Sequence, residues 1–190
     1  MIGSILVNKL RFRFNPAKFV NAVAYLAHAC PKSTKMTVCK LLYFADKEHL
    51  LKYGRPITGD TYYHLEHGQI PTRGLDMLRL RSDAASNALT EKYVTVIGNY
   101  VHPRRPVDKK VFSKSDIETL ELIVREFGGM TAAQLRKRAH DELTYVESQE
   151  GCPIDFSLFF KDRPKAKRAL DLAGREQEAR DVLLPYGIAE

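Results

Sequence analysis

The chain has 190 residues, 44% of them hydrophobic, enough to bury one sizeable core within the usual size of a single domain. Its formal net charge of +7 favours an anionic partner, whether nucleic acid or an acidic protein face, without choosing between them. Three cysteines with no C-x-x-C pair indicate neither a disulfide framework nor a structural zinc site, and with no secretory leader and no apolar stretch long enough for a bilayer, a cytoplasmic protein without a membrane partner is expected.

Residues 1–14 read as an irregular or short extended lead. Asn15 and Pro16 supply an N-cap and a first helical position, and Phe19, Val20, Val23, Leu26, Ala27 and Cys30 follow at helical spacing. Pro31 stops that helix, and Ser33 or Thr34 caps the next, Met36 to Tyr53. This second helix is apolar over so wide an arc that it belongs at the centre of the fold. Gly54 and Pro56 end it.

Thr61 to Leu65 favours a strand, and the breakers Gly68 and Pro71 mark a turn. A short helix is predicted over Thr72 to Arg81, burying Leu75 and Leu78, followed by a polar segment from Ser82 to Asn87. Tyr93 to Ile97 and Tyr100 to His102 read as two strands about a Gly98-Asn99 turn. Beyond the basic 103–110 loop, Ser115 to Glu118 matches a capping box, with Ile117, Leu120, Val124 and Phe127 on the buried face of its helix.

Gly128 and Gly129 end that helix. A second box, Thr131 to Gln134, opens another helix with Leu135 and Ala139 turned inward, and the pair invites a helix-turn-helix reading. Cys152 to Phe160 forms an apolar cover for the core. The tail from Pro164 to Leu184 is helical with a thin stripe at Ala166, Leu170, Ala173 and Leu184, and either packs weakly on the domain or docks on a partner. The expected fold is thus a predominantly helical α+β single domain with a central buried helix and a small antiparallel sheet. Its parts are a lead (1–14), the domain (15–160) and a helical tail (161–190).

Few groups point to chemistry. Gly54, Gly59 and Thr61 have the spacing of a phosphate-binding loop, but Asp60 stands where that loop needs its lysine, and the segment follows a helix instead of a strand. His64 and His67 flank Glu66, yet residues three apart on a strand face opposite ways, so zinc is not expected. Asp46 and His49 share a helix face and read as partners of each other. Cys39 reads as core filler. No nucleophile elbow or dinucleotide fingerprint is present, and neither catalysis nor a cofactor is expected.

The run Lys40-Leu-Leu-Tyr-Phe-Ala-Asp46, then His49-Leu50, Tyr53-Gly-Arg-Pro-Ile57, Tyr62-Tyr63 and His67-Gly68-Gln-Ile-Pro71, resembles the signature of the SocA-like antitoxin (Panacea) domain. The segment Arg138-Ala-His140-Asp-Glu142 is similar to a later stretch of that family. Gln69 stands where the family commonly shows proline. The resemblance implies a two-gene, prokaryotic and often phage-associated toxin–antitoxin system in which the domain sequesters a toxin encoded by the adjacent gene, with delivery of the toxin to a protease as a variant role.

Tyrosine and arginine carry much of the binding energy at protein interfaces. The residues expected to bind the partner are Tyr62, Tyr63, His64, His67, Gln69, Arg73, Arg79 and Arg81, with Tyr62, Tyr63 and the three arginines read as exposed. Two other functions stand beside the antitoxin. One is a regulator binding operator DNA through the Ser115 to His140 helix pair, compatible with autoregulation. The other is a hydrolase around Asp46 and His49. Association of two copies of the chain is left open.

Overall fold

The structure is a computed structural model that describes residues 10–161, 163 and 166–183. The first nine residues of the expected lead, Pro164 and Leu184 lie outside the described residues. In chain order come α1 (Pro16–Ala29), α2 (Lys35–Tyr53), β1 (Tyr62–Leu65), β2 (Gly68–Pro71), α3 (Thr72–Leu78), α4 (Ala84–Tyr93), β3 (Val94–Ile97), β4 (Tyr100–Pro103), α5 (Lys114–Phe127), α6 (Ala132–His140), α7 (Leu143–Val146) and α8 (Lys167–Leu183). The fold is a predominantly helical α+β domain. Among the described residues no helix is long and apolar enough to cross a membrane.

α2 is the axis of the molecule, with α1, α5, α6, α8 and β2 packed around it. Thr34 caps its start by accepting the Thr37 amide at 3.1 Å, and Gly54, at φ 78°, closes its end. Enclosure on all sides explains why Val38, Cys39, Lys40, Leu41, Leu42, Tyr43, Phe44 and Ala45 are buried in an unbroken run. Phe44 stacks on Phe127 of α5 with ring centroids 4.5 Å apart, and Tyr43 meets the rings of Tyr62 and Phe159 edge-on. At α1, Asn15 accepts the Lys18 amide at 2.9 Å and Pro16 opens the first turn, as its sequence requires.

The strands form two separate antiparallel pairs, β1–β2 and β3–β4. The expected strand-and-turn at residues 61–71 is a full hairpin. Gly68, at φ +91°, starts β2 and Pro71 sits at its last position, so the two breakers bound a strand. Backbone bonds from His64 N to Cys152 O and from Ile154 N to Tyr62 O, both 2.9 Å, bring the 151–154 segment along the free edge of β1. Ile154, Phe156, Phe159 and Phe160 then cover the core.

Three features differ from the sequence reading. The polar 82–87 segment is the start of α4, because Asp83 is a cap that accepts the Ser86 amide at 2.9 Å. The box that opens α5 lies two residues earlier than expected. Ser113 accepts the Asp116 amide at 3.2 Å, and Asp116 accepts the Ser113 amide at 2.9 Å. Asp116 takes the role expected of Glu118 because it is buried and paired with Lys18 at 2.6 Å. In α8 the buried residues are Ala169 and Ala173, which lie against Gly54 at the end of α2. Leu170 and Ala166 are half-buried.

Candidate partner-binding face

The sequence-predicted binding residues do not form one surface. Tyr62 and Gln69 are buried, which corrects the reading of Tyr62 as exposed. The cause is a set of polar groups carried by α2 into the core, each of which needs a partner. The Asp46 carboxylate accepts the amides of Ile57 and Thr58 at 2.8 Å, the Thr58 hydroxyl, and the Tyr62 hydroxyl at 2.9 Å. Tyr62 is therefore tied inward. Gln69, in the middle of β2, donates to the carbonyl of Ala139 at 3.0 Å and holds the hairpin to α6.

Asp46 and His49 do not pair with each other, contrary to the sequence reading. His49 Nδ1–H donates to the Arg55 carbonyl at 2.7 Å, and its Nε2 lies 3.1 Å from Ser115 Oγ. Burial pushes this imidazole down to about 4 against the pull of Asp116, whose Oδ1 also lies 3.1 Å from Nε2. Asp116 is nearby, 3.0 Å from Arg55 Nη1. Burial alone would raise the Asp116 carboxyl, but Lys18, the Ser113 amide and Arg55 outweigh it and hold the group below the ordinary carboxylate range.

Asp60, which spoiled the phosphate-loop pattern, has a structural task. It accepts the amides of Gly74 at 2.7 Å and Arg73 at 3.3 Å, and so caps α3, whose own N-cap position is a proline. Burial raises its carboxyl to about 7 against the pull of those amides. Cys39 is fully buried, and burial pushes its thiol up to about 12. Among the described residues no group of three or more His, Cys, Asp or Glu side chains is placed to hold a metal ion.

The remaining predicted residues divide between two sides. His64 bonds the Ser148 hydroxyl at 2.7 Å and lies against the ring of Tyr145, while Tyr63 borders a cleft with Phe12 and Phe156. His67 is exposed at the β1–β2 turn. Arg73 lies over the Phe14 ring, 5.5 Å from its centroid.

Arg79 and Arg81 line a groove of about 430 Å³ between the end of α3, α4 and the β3–β4 hairpin. Lys35 and Arg104 also line it, and Glu91 is the one acid among its lining residues. Between the two arginines stands Leu80, 46% exposed and at φ 54°. The bond from Arg81 N to Asp76 O at 2.9 Å marks a helix end that asks for a left-handed residue, normally glycine. A leucine there carries strain of about 1 kcal/mol. Ile97 and Tyr100, 65% and 50% exposed, extend apolar surface to the tip of the hairpin beside the groove.

The result is a concave basic face with apolar side chains standing out from it, suited to an acidic protein surface carrying an apolar centre. Of the residues on this face the sequence reading singled out Arg79 and Arg81 as binding residues and did not name Leu80, Ile97, Tyr100, Lys35 or Arg104 among them. A usable signal was the helix ending Leu78-Arg-Leu-Arg81, which has no glycine where one belongs.

The family model described as antitoxin SocA-like, Panacea domain matches residues 38–143, which contain α2 from its first turn, both hairpins, the basic groove from Arg79 to Arg104, and α6. No curated protein and no solved structure matches the chain.

Proposed function

The chain belongs to the antitoxin SocA-like, Panacea domain family, whose match takes in more than half its length, and on that premise we propose that it neutralises a cognate toxin by direct binding through the basic face around Leu80. The observation that carries this reading is the strained, exposed leucine set between Arg79 and Arg81. Strain held at an exposed apolar residue costs stability without serving the core, and such residues gather at binding sites. The surrounding cations would steer an acidic toxin segment to the groove, and Leu80, Ile97 and Tyr100 would supply apolar contact once it docks.

The protein acts in the cytoplasm by occupancy, without turnover of a substrate. Neutralisation by blocking the toxin is the reading preferred over delivery of the toxin to a protease, since a face of this kind holds a partner by itself. The competing DNA-binding function rests on α5 and α6, but Arg136, the first cation of α6, is turned back onto the Glu66 carbonyl at 3.0 Å, and the basic run that it opens is followed at once by the acids Asp141 and Glu142.

The test is growth of cells expressing the adjacent gene alone and then together with this protein. Arrest relieved by co-expression, with the two products co-purifying, is the expected result. The double charge reversal Arg79→Glu/Arg81→Glu should abolish both rescue and complex while leaving the thermal transition within a few degrees of the parent. A harmless neighbour with no complex sinks the antitoxin reading, and rescue by the double variant sinks the assignment of the face.

A further inference from the structure

α2 carries four buried polar or charged side chains in its middle, and three of them are matched. Asp46 has its amides and hydroxyls, His49 has the Arg55 carbonyl, and Lys47 has the Glu142 carboxylate at 2.5 Å. Lys40 is the exception. It is only 3% exposed, and its ammonium makes one long hydrogen bond, 3.3 Å to the Gln69 carbonyl, with no carboxylate paired to it among the described residues.

A buried ammonium without a counter-ion is costly, and removing its last acceptor would be more so. Its other neighbours bring no anion. Gly68 leaves the space the ammonium occupies, since a Cβ there would overlap Nζ, and the His140 Nε2 beside it has no partner of its own. Burial, with Arg136 adding to it, pushes the Lys40 amine down to about 8.

Lys40 is nevertheless not sealed in. It lines a pocket of about 290 Å³ with Met36, Ala132, Ala133, His67 and Arg136, and no acidic residue is among the lining. Met36 and the two alanines give the pocket apolar walls. Arg136 and His67 are exposed, while Lys40 is the buried lining residue, so the pocket runs from the Arg136 guanidinium inward to the Lys40 side chain. The first residues of α6 also contribute the positive end of that helix.

We propose that this pocket is a carboxylate-binding subsite that receives a glutamate side chain of the partner protein. Its methylene stem lies along Met36, Ala132 and Ala133, and its carboxylate supplies the counter-ion that Lys40 lacks, with Arg136 as second donor. The occupant follows from three features of the site: a buried cationic residue among its lining, apolar walls enclosing a volume large enough to admit a glutamate side chain, and the absence of any acid. The assignment of the partner as the toxin rests on the antitoxin reading, whereas the binding chemistry does not.

The test uses the full chain and a probe of defined chemistry, N-acetylglutamic acid α-amide, with its neutral isostere N-acetylglutamine α-amide as control. Amide resonances of Lys40, Gly68, Ala132, Ala133 and Arg136 should shift saturably with the acid, at least about tenfold more tightly than with the isostere. Lys40→Met should abolish the response. Arg136→Glu, on an exposed position of α6, should weaken it by a similar factor and guards against a Lys40 variant that fails to fold.

Equal response to acid and isostere, or a response unchanged in Arg136→Glu, overturns the subsite. In the growth assay, loss of rescue by Arg136→Glu where the parent rescues places the toxin's carboxylate in the pocket. Retained rescue overturns that placement while leaving the antitoxin reading intact. A parent that fails to rescue overturns the antitoxin reading, and the titration alone then decides the pocket.

Discussion

At the scale of single residues, the chain distinguishes polar groups that serve the fold from those that the fold leaves incomplete. Asp46, Asp60 and Asp116 are buried acids whose oxygens are taken up by backbone amides, hydroxyls or cations. Leu80 and Lys40 are the reverse. One is an apolar side chain strained into solvent, the other a cation buried without an anion, and both lie next to a groove. Leu80→Gly separates stability from binding. Glycine relieves a left-handed strain of about 1 kcal/mol, offset in part by its greater unfolded-state freedom, so unfolding in urea should show stability equal to the parent or higher by up to about 1 kcal/mol. Toxin affinity, read by calorimetry, should fall by about tenfold or more because the apolar anchor is gone. Affinity unchanged by that substitution would remove Leu80 from the interface.

At the scale of elements, α8 is attached to α2 by close backbone approach more than by large side chains. Gly54 ends α2 at φ +78°, and a Cβ there would lie 2.8 Å from both the Ala169 carbonyl and Leu172 Cβ. Gly54→Ala should therefore cost about 2 kcal/mol, roughly half from the left-handed backbone and half from displacing α8. Limited proteolysis should cut within 167–183 sooner than in the parent, and unchanged stability with unchanged cleavage would mean that α8 is not held in this way. Most elements were legible from local chemistry: Asn15-Pro16, the Gly54 stop and the Thr131 box each act within one turn of helix, and the wide apolar arc of α2 could only be central. What was not legible depended on distant partners. Ser113 and Ser115 both fit a capping pattern, and only the contact of Asp116 with Lys18 of α1 shows which one is used. Tyr62 reads as an exposed strand residue until Asp46, on another element, takes its hydroxyl. Lys40 stands in a signature run, but no local rule says that its ammonium lacks an acid.

At the scale of the whole molecule, the net charge of +7 acquires direction. Lys35, Arg79, Arg81 and Arg104 face one groove with Glu91 as its single acid, and Lys40, Arg136 and His67 line a second pocket with none. Concentrated charge of one sign acts mainly on encounter, because it raises the chance that an oppositely charged surface arrives in the right orientation, whereas residence depends on desolvated contacts. The two parts of the proposed face should then separate kinetically. Arg81→Ala should lower the association rate constant for the toxin by several-fold and flatten its dependence on salt, with dissociation nearly unchanged, while Leu80→Gly should act chiefly on dissociation. For the parent, raising salt from about 50 to 500 mM should slow association by about tenfold, since the Debye length shrinks by about threefold over that range. Surface-based kinetics across a salt series reads both quantities. A toxin whose association is indifferent to salt would mean that the cations of this face do not meet it. A DNA duplex bound with a steep power-law dependence on salt would instead assign the charge to nucleic acid.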